Sequence, residues 1–259
     1  LLFMLNGLAK LKDDGQMAII QNGSSLFNGD AGSGPSEIRR YLIENDWLDA
    51  IVQLPGNAFY NTPIATYIWI VMKNKPVTHQ GKVQLIDASA CASSRRKNIG
   101  EKKVDITKAC RDLIIEAYGA YVNDTYNGVD ENNNTIVVKS KVMDAVDLGY
   151  NKIVVETPQF DEDGNVIMKK KKPVADTSKR DTENVPLAED IDDYFEREVI
   201  PYNQQAWIDK SKTKVGYEIP FTRTFYEYKQ IEPSDVIAAR IEEHEKSLMA
   251  KLHDLFGGE

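Results

Sequence analysis

The segment from Ile51 to Lys73 constrains the fold more than any other stretch of this chain. It reads as two apolar runs of strand length, Leu48 to Leu54 and Ala65 to Met72, joined by a short loop. Neither run alternates cleanly between apolar and polar residues. That pattern belongs to strands covered on both faces, in the interior of an α/β sheet. The connecting loop holds an aromatic pair, Phe59-Tyr60, followed by Asn61-Thr62. A loop this short between two interior strands favours an antiparallel pair, inserted at one edge of the sheet.

The flanking segments extend the α/β reading. Leu1, Leu5, Leu8 and Leu11 share one helical face, which ends at Asp13-Asp14-Gly15. A strand follows at Gln16 to Gly23, then a helix from Ser36 to Asn45 with Ile38, Tyr41 and Leu42 inward. Lys82 to Asp87 is a further strand. The chain opens without Met and without the basic region of a signal peptide. A helix beginning in mid-stride implies a piece whose upstream part is missing.

The middle changes character. Asp105 to Tyr121 is amphipathic, with Ile106, Cys110, Leu113, Ile114 and Ala117 on the apolar side. Asn123 to Asn134 is rich in turn residues. Thr135 to Val138, Lys152 to Thr157 and Val166 to Met168 read as short strands, the last two linked by a hairpin turn at Asp161 to Asn165. Residues 169 to 187 read as a charged linker or exposed loop. Helical spacing returns at Asp190 to Val199. An aromatic-dense stretch, Tyr217 to Tyr228, precedes a long helix capped by Ser234-Asp235 and ending at Gly257-Gly258. Ile237, Ile241, Leu248, Leu252 and Leu255 form a coiled-coil-like stripe on that helix. It packs either on its own domain or on a partner helix.

The formal net charge is −8, whereas a protein that grips DNA unaided is usually basic. Contact with a polyanion would therefore be local or shared with partners. Basic clusters exist at Arg95-Arg96-Lys97, Lys102-Lys103, Lys169 to Lys172 and Lys179-Arg180, and the ordinary reading of each is a solvated loop. No apolar run reaches the roughly 18 residues that cross a membrane. Cys91 and Cys110 show neither metal spacing nor a disulfide framework, which suits a reducing cytoplasm. His79, His244 and His253 are scattered, and no metal is expected. Gly29, Gly32 and Gly34 lack the spacing of a dinucleotide loop and the Lys-Ser or Lys-Thr of a nucleotide loop, leaving a flexible connection. The acidic pairs Glu189-Asp190 and Asp192-Asp193 sit at a helix start, where they favour the helix dipole.

Taken in order, Leu8 to Gly23, Ile38 to Asp46, the Leu54-Pro55, Phe59 and Ile64-Ala65-Thr66 positions, and Lys82 to Ser89 resemble one family. So do Asp181 to Leu187 and Gly216 to Arg223. The family is the N6-adenine DNA methyltransferase, or modification, subunit of type I restriction-modification systems. The resemblance implies the C-terminal part of a Rossmann-like, S-adenosylmethionine-dependent sheet, followed by a mixed, mainly helical C-terminal region. The implied divisions are 1–92, 93–180 and 181–259. Phe59 matches the aromatic that holds a flipped-out base, with Tyr60 the alternative if the register shifts by one. Asn61 and Thr62 would shape the pocket, and Arg95, Arg96, Lys97, Lys102 and Lys103 would contact the DNA backbone. Implied partners are DNA, a specificity subunit, a restriction subunit and a second modification subunit.

Two departures matter. The family's glycine-rich cofactor loop is absent, and no Asn-Pro occurs anywhere, so the catalytic Asn-Pro-Pro-aromatic motif is absent too. No catalytic residue is assigned, and the S-adenosylmethionine contacts are unassigned. The implied activity is methyl transfer to adenine N6 in DNA by the complete subunit, with this piece inactive alone. The competing reading is a non-catalytic module that bridges subunits or binds DNA.

Overall fold

A computed structural model describes residues 1–228 and 231–256. In chain order, α1 (Leu2–Lys10), β1 (Gln16–Asn22), the short α2 (Ser24–Phe27) and α3 (Gly34–Glu44) precede β2 (Leu48–Gln53), β3 (Thr66–Met72) and β4 (Lys82–Asp87). A hairpin of β5 (Ser93–Ile99) and β6 (Lys102–Asp105) leads into α4 (Lys108–Ala120), followed by β7 (Asp124–Val129) and β8 (Thr135–Asp144). The fold is mixed α/β, as the sequence pattern implies.

Six strands form the main sheet in the order β1-β3-β2-β4-β8-β7. β2 and β4 are parallel, and β3 is antiparallel to both its neighbours. β1 therefore points the same way as β2 and β4. The antiparallel strand expected at an edge lies one position inward, between β1 and β2. Its composition explains this: Tyr67, Trp69, Val71 and Met72 are all buried, and an edge strand would leave such residues in water.

Side chains alternate between the two faces, as the two-residue period of a strand requires. Ile51, Trp69, Val71, Val83 and Leu85 point to one side and meet Met4, Leu8, Leu42 and Ile43 of α1 and α3. Val52, Ile68, Ile70 and Ile86 point to the other and meet Cys110, Leu113 and Ala117 of α4. Burying each large aliphatic side chain contributes about 1.5–3 kcal/mol. Both faces of the interior strands are thereby paid for in apolar contact, which accounts for their unbroken hydrophobic runs.

Several expectations change. α4 begins at Lys108, later than expected, because β6 takes residues 102–105 and Thr107 caps the helix through the Cys110 amide at 3.4 Å. The turn-rich stretch at 123–134 contains β7, which pairs with β8 across a turn organised by Asp130. Turn-forming Asn and Asp residues are tolerated there because β7 is an edge strand, largely exposed.

β9 (Gly149–Glu156) centres a second sheet. After it come the two-residue strands β10 (Met168–Lys169) and β11 (Lys172–Pro173), then β12 (Asp181–Pro186) and α5 (Ile191–Glu198). β13 (Trp207–Ile208), β14 (Lys214–Tyr217) and α6 (Phe221–Thr224) complete this part. β12 pairs with one side of β9, and β13 and β14 with the other. The expected linker at 169–187 is thus a hairpin followed by a paired strand. Asp190 caps α5 by accepting from the Asp192 and Asp193 amides at 2.9 and 3.1 Å, so those carboxylates serve the helix start.

Residues Leu1–Phe225 form one compact unit and Tyr226–Glu259 a second. The positions after residues 92 and 180 both fall inside the first unit. Within the second, α7 (Ser234–Phe256) has no buried residue, and Ile237, Ile241, Leu248, Leu252 and Leu255 are all exposed. Its expected stop at Gly257-Gly258 lies outside the described residues. Among the described residues, no helix is long and apolar enough to cross a membrane.

Candidate functional site

The carboxyl ends of β1, β2 and β4 share one rim of the main sheet, since the three strands point the same way. Open α/β sheets bind ligands at that rim. The loop carrying Phe59 leaves the carboxyl end of β2 and stands there.

Main-chain bonds shape the loop. The Leu54 amide donates to Thr66 O at 2.8 Å and the Asn57 amide to Pro63 O at 3.0 Å, while Phe59 and Thr62 form an isolated antiparallel bridge. Asn57 has φ 56°, a left-handed conformation that Asn tolerates better than most residues. Phe59 is half-buried and packs on the core beneath α4. Tyr60 is 63% exposed, with the Lys102 ammonium 5.6 Å from its ring centre. Asn61 is exposed and Thr62 half-buried.

The β5–β6 hairpin is fastened to this loop. Glu101 N donates to Tyr60 O at 2.9 Å and Lys103 N to Asn57 O at 2.9 Å. The Asn57 side-chain amide donates to Glu101 O at 3.0 Å. Gly100 permits the approach: its φ is +57°, and a Cβ there would sit 2.6 Å from Tyr60 O. The structure therefore joins the aromatic pair and the cationic cluster, which lie some forty residues apart in sequence, into one surface.

The five cations are not equivalent. Arg95 and Lys102 both pair with Asp105, Lys102 at 3.0 Å. Those hydrogen bonds, Arg95 first, hold the Asp105 carboxyl below its ordinary range. Arg96, Lys97 and Lys103 are exposed and make no side-chain ion pair among the described residues. A groove of about 400 Å³ runs past Arg95, Arg96, Lys97, Thr107 and Asn132. Its far wall is fixed by Asp130, which accepts from the Ser93 hydroxyl and from the Asn132 and Asn134 amides. The Ser93 hydroxyl, then Asn134, lower the Asp130 carboxyl to about 2.

The glycine loop is not the flexible connection expected. Arg39 on α3 is fully buried and donates to Tyr217 O at 2.5 Å, Asn28 O at 3.0 Å, Ser25 O at 3.1 Å and Gly29 O at 3.5 Å. Its guanidinium fixes the loop from inside. Among the described residues, no three His, Cys, Asp or Glu side chains are grouped to hold a metal. Cys91 and Cys110 are buried, and burial pushes the Cys91 thiol up to about 12.

Sequence reasoning missed Asn57 and Asp105. Pro55-Gly56-Asn57 is a turn signal that marks the position without showing its partners. Nothing local distinguishes Asp105. It also missed Asp49, buried at the opposite end of β2, which accepts from Tyr118 OH at 2.7 Å and lies 2.9 Å from His79 Nδ1.

A family model described as N-6 DNA Methylase matches residues 1–160. The MjaIX type I restriction enzyme methylase subunit of Methanocaldococcus jannaschii is 40% identical over 81 residues, covering 30% of this chain and 14% of that protein. The MpnII methylase subunit of Mycoplasma pneumoniae is 37% identical over 76 residues, covering 29% and 13%. The chain thus aligns with about a seventh of the length of these curated relatives. Among solved structures, a type I restriction-modification methyltransferase subunit from Streptococcus thermophilus superposes with a TM-score of 0.45 at 27% identity, covering 57% of this chain and 27% of that one.

Proposed function

The chain belongs to the N-6 DNA methylase family, and on that premise we propose that it forms the target-base side of an adenine-N6 DNA methyltransferase, the modification subunit of a type I restriction-modification system acting in the cytoplasm. One observation carries the reading: the Phe59 loop stands at the carboxyl rim of the parallel strands and is bonded to a hairpin bearing three cations that have no ion-pair partner among the described residues.

An adenine inside a duplex cannot present its amino group, so the enzyme extrudes it, at a cost of a few kcal/mol. A ring packed on the core from behind is a rigid surface for such a base. Stacking on it contributes roughly 1–3 kcal/mol and offsets part of that cost. Asn61 and Thr62 close the pocket beside the ring, and Tyr60 is the second aromatic surface. Arg96, Lys97 and Lys103 take the phosphates flanking the extruded base, with Arg95 and Lys102 held behind them by Asp105. Phosphate contacts of this kind position the duplex without reading its sequence.

S-adenosylmethionine supplies the methyl group in this reaction. The groove at the end of β1 is lined by Leu1, Leu2, Gln21, Asn22, Ser24 and Ile38, with no carboxylate for a ribose diol. The residues of this groove do not fit the cofactor, and we propose that the chain serves the base side and is inactive in methyl transfer alone. The exposed apolar stripe of α7 supports docking on a specificity subunit or a second modification subunit.

The test is base extrusion in the complete modification subunit, read by 2-aminopurine fluorescence at the target adenine. Phe59→Ala is expected to weaken the extruded state by roughly 5- to 100-fold, the stacking contribution, while cofactor affinity holds. Unchanged extrusion in Phe59→Ala with a loss in Tyr60→Ala moves the wall to Tyr60. Parent behaviour in both overturns the reading. Deleting residues 234–259 is expected to weaken complex formation on size exclusion, and an intact complex would remove α7 from assembly.

A further inference from the structure

Lys169, Lys170, Lys171 and Lys172 close the β10–β11 hairpin, with Lys169 directly opposite Lys172. Lys170 and Lys171, the two turn residues, have φ 51° and 64°. A turn with two successive left-handed residues is normally built from Asn-Gly or Asp-Gly, and a side chain other than Asn or Gly costs roughly 1–2 kcal/mol there. Like charges facing each other across a strand pair add a further penalty. All four lysines are exposed, and among the described residues none has an ion-pair or side-chain hydrogen-bond partner.

Beneath the tip the ribbon is ordered. It rises from Glu156, the last residue of β9, and returns into β12. The Gln159 amide donates to Val174 O at 2.8 Å, Ile167 N to Gln159 O at 2.9 Å and Val174 N to Ile167 O at 2.9 Å. Asp176 N donates to Thr157 O at 2.8 Å at its base. There the buried Glu156 carboxylate is held by Arg180 at 2.8 Å and Lys212 at 2.9 Å. The neighbouring turn is closed by Asp161, which accepts from the Asp163 and Asn165 amides at 3.0 and 2.8 Å. Acidic and basic residues thus occupy different turns of one ribbon, and the basic turn has the unfavourable backbone.

Among the described residues, no side chain compensates for the charges of the tip. Its charge repulsion is a cost that an external polyanion would relieve. We propose that this lysine-tipped ribbon is a second DNA-contacting element, a finger whose four ammonium groups take backbone phosphates of a duplex. It deepens the reading of the chain as the base side of a DNA methyltransferase and rests on that reading for the identity of its polyanion. The finger is compatible with the net charge of −8, because its cations, like those of the β5–β6 hairpin, are concentrated on a small exposed element.

The experiment measures binding of the 259-residue chain to a 20-base-pair duplex across a salt series. Each phosphate contact contributes roughly 0.9 to the slope of log affinity against log salt. Replacing all four lysines by Gln is expected to lower that slope by about two to four. Lys170→Asn with Lys171→Gly, which suits the turn while removing two charges, is expected to lower it by about half as much and to raise the melting temperature. A slope unchanged in both variants overturns the finger, as does binding of polyglutamate of matched charge as tightly as the duplex, which would assign the tip to an acidic protein surface. In parallel, Phe59→Ala is assayed for base extrusion in the complete subunit. A lowered slope with no Phe59 effect leaves the finger standing and removes the base-side reading. A Phe59 effect with an unchanged slope does the reverse. No duplex binding by the parent chain overturns the finger whatever Phe59 does.

Discussion

The Phe59 loop and the ribbon tip both place non-glycine residues at positive φ, and they hold them in opposite ways. In the Phe59 loop the residue is Asn57, at φ 56°. Its amide, its carbonyl and its side chain are all bonded, to Pro63, Lys103 and Glu101. At the ribbon tip the residues are Lys170 and Lys171, neither suited to the conformation nor bonded through the side chain. In the first turn, the strain is answered by contacts within the chain that hold an aromatic pair in place. In the second, among the described residues, only the backbone pairing of the hairpin supports it. A strained backbone persists only where something over-determines it. The loop is held by contacts of the fold, whereas the polyanion proposed at the tip would answer its like charges and not its backbone.

The comparison breaks first at Gly100. Valine there would need both φ +57° and space 2.6 Å from Tyr60 O. The variant is expected to lose about 2–4 kcal/mol in urea unfolding, from backbone strain and overpacking together. Parent stability would mean that the hairpin is not held to the loop as described. Asn57→Ala removes the bond to Glu101 and the residue's tolerance of positive φ, for an expected loss of about 2 kcal/mol. Asn57→Gly keeps the conformation and should lose about 1 kcal/mol. Equal losses in the two variants would assign the whole effect to the side-chain bond and none to backbone strain.

The tip should respond with the opposite sign. Lys171→Gly alone is expected to stabilise the chain by up to about 1 kcal/mol, because it relieves a left-handed side chain and one like charge. A destabilised variant would show that the tip is satisfied within the fold, and the contrast with Asn57 would vanish.

The smallest effect concerns the groove beside the hairpin. The Asp130 carboxyl falls from its ordinary 3.8 to about 2 in the folded state, through the Ser93 hydroxyl and then Asn134. A depressed carboxyl stabilises the fold above its unfolded value and loses that contribution as pH falls toward the folded one. The stability gap between parent and Asp130→Asn should therefore be widest near neutral pH and close between about pH 4 and pH 2. A gap independent of pH would mean that the shape of the turn, not its charge, matters.

Much of this was legible in the residues. The runs at 48–54, 65–72 and 82–87 became β2, β3 and β4 nearly residue for residue, because interior strands carry their burial in plain composition. The helices at 36–45, 190–199 and from 234 were marked by period and caps. Less legible were β5, β6 and β7, whose polar residues lie on exposed strands and pair only because a partner strand reaches them. At the site, the Phe59 loop and the cations were visible separately, and their union was not. It depends on Asn57 and Glu101 meeting across forty-four positions, beside the close approach of Gly100 to Tyr60.

The sequence by itself determined which segments are strands and helices, which loop carries the aromatic pair and where the cations cluster, since local periodicity and composition act over a few residues. Only the tertiary structure decided that β3 enters between β1 and β2, that Asp105 engages two of five hairpin cations, and that two lysines occupy a left-handed turn. It also decided that Arg39 reaches Tyr217 across 178 positions to lock the glycine loop. Such contacts are chosen by the packing of the whole sheet, in which a buried donor must find whatever acceptor the fold brings to it.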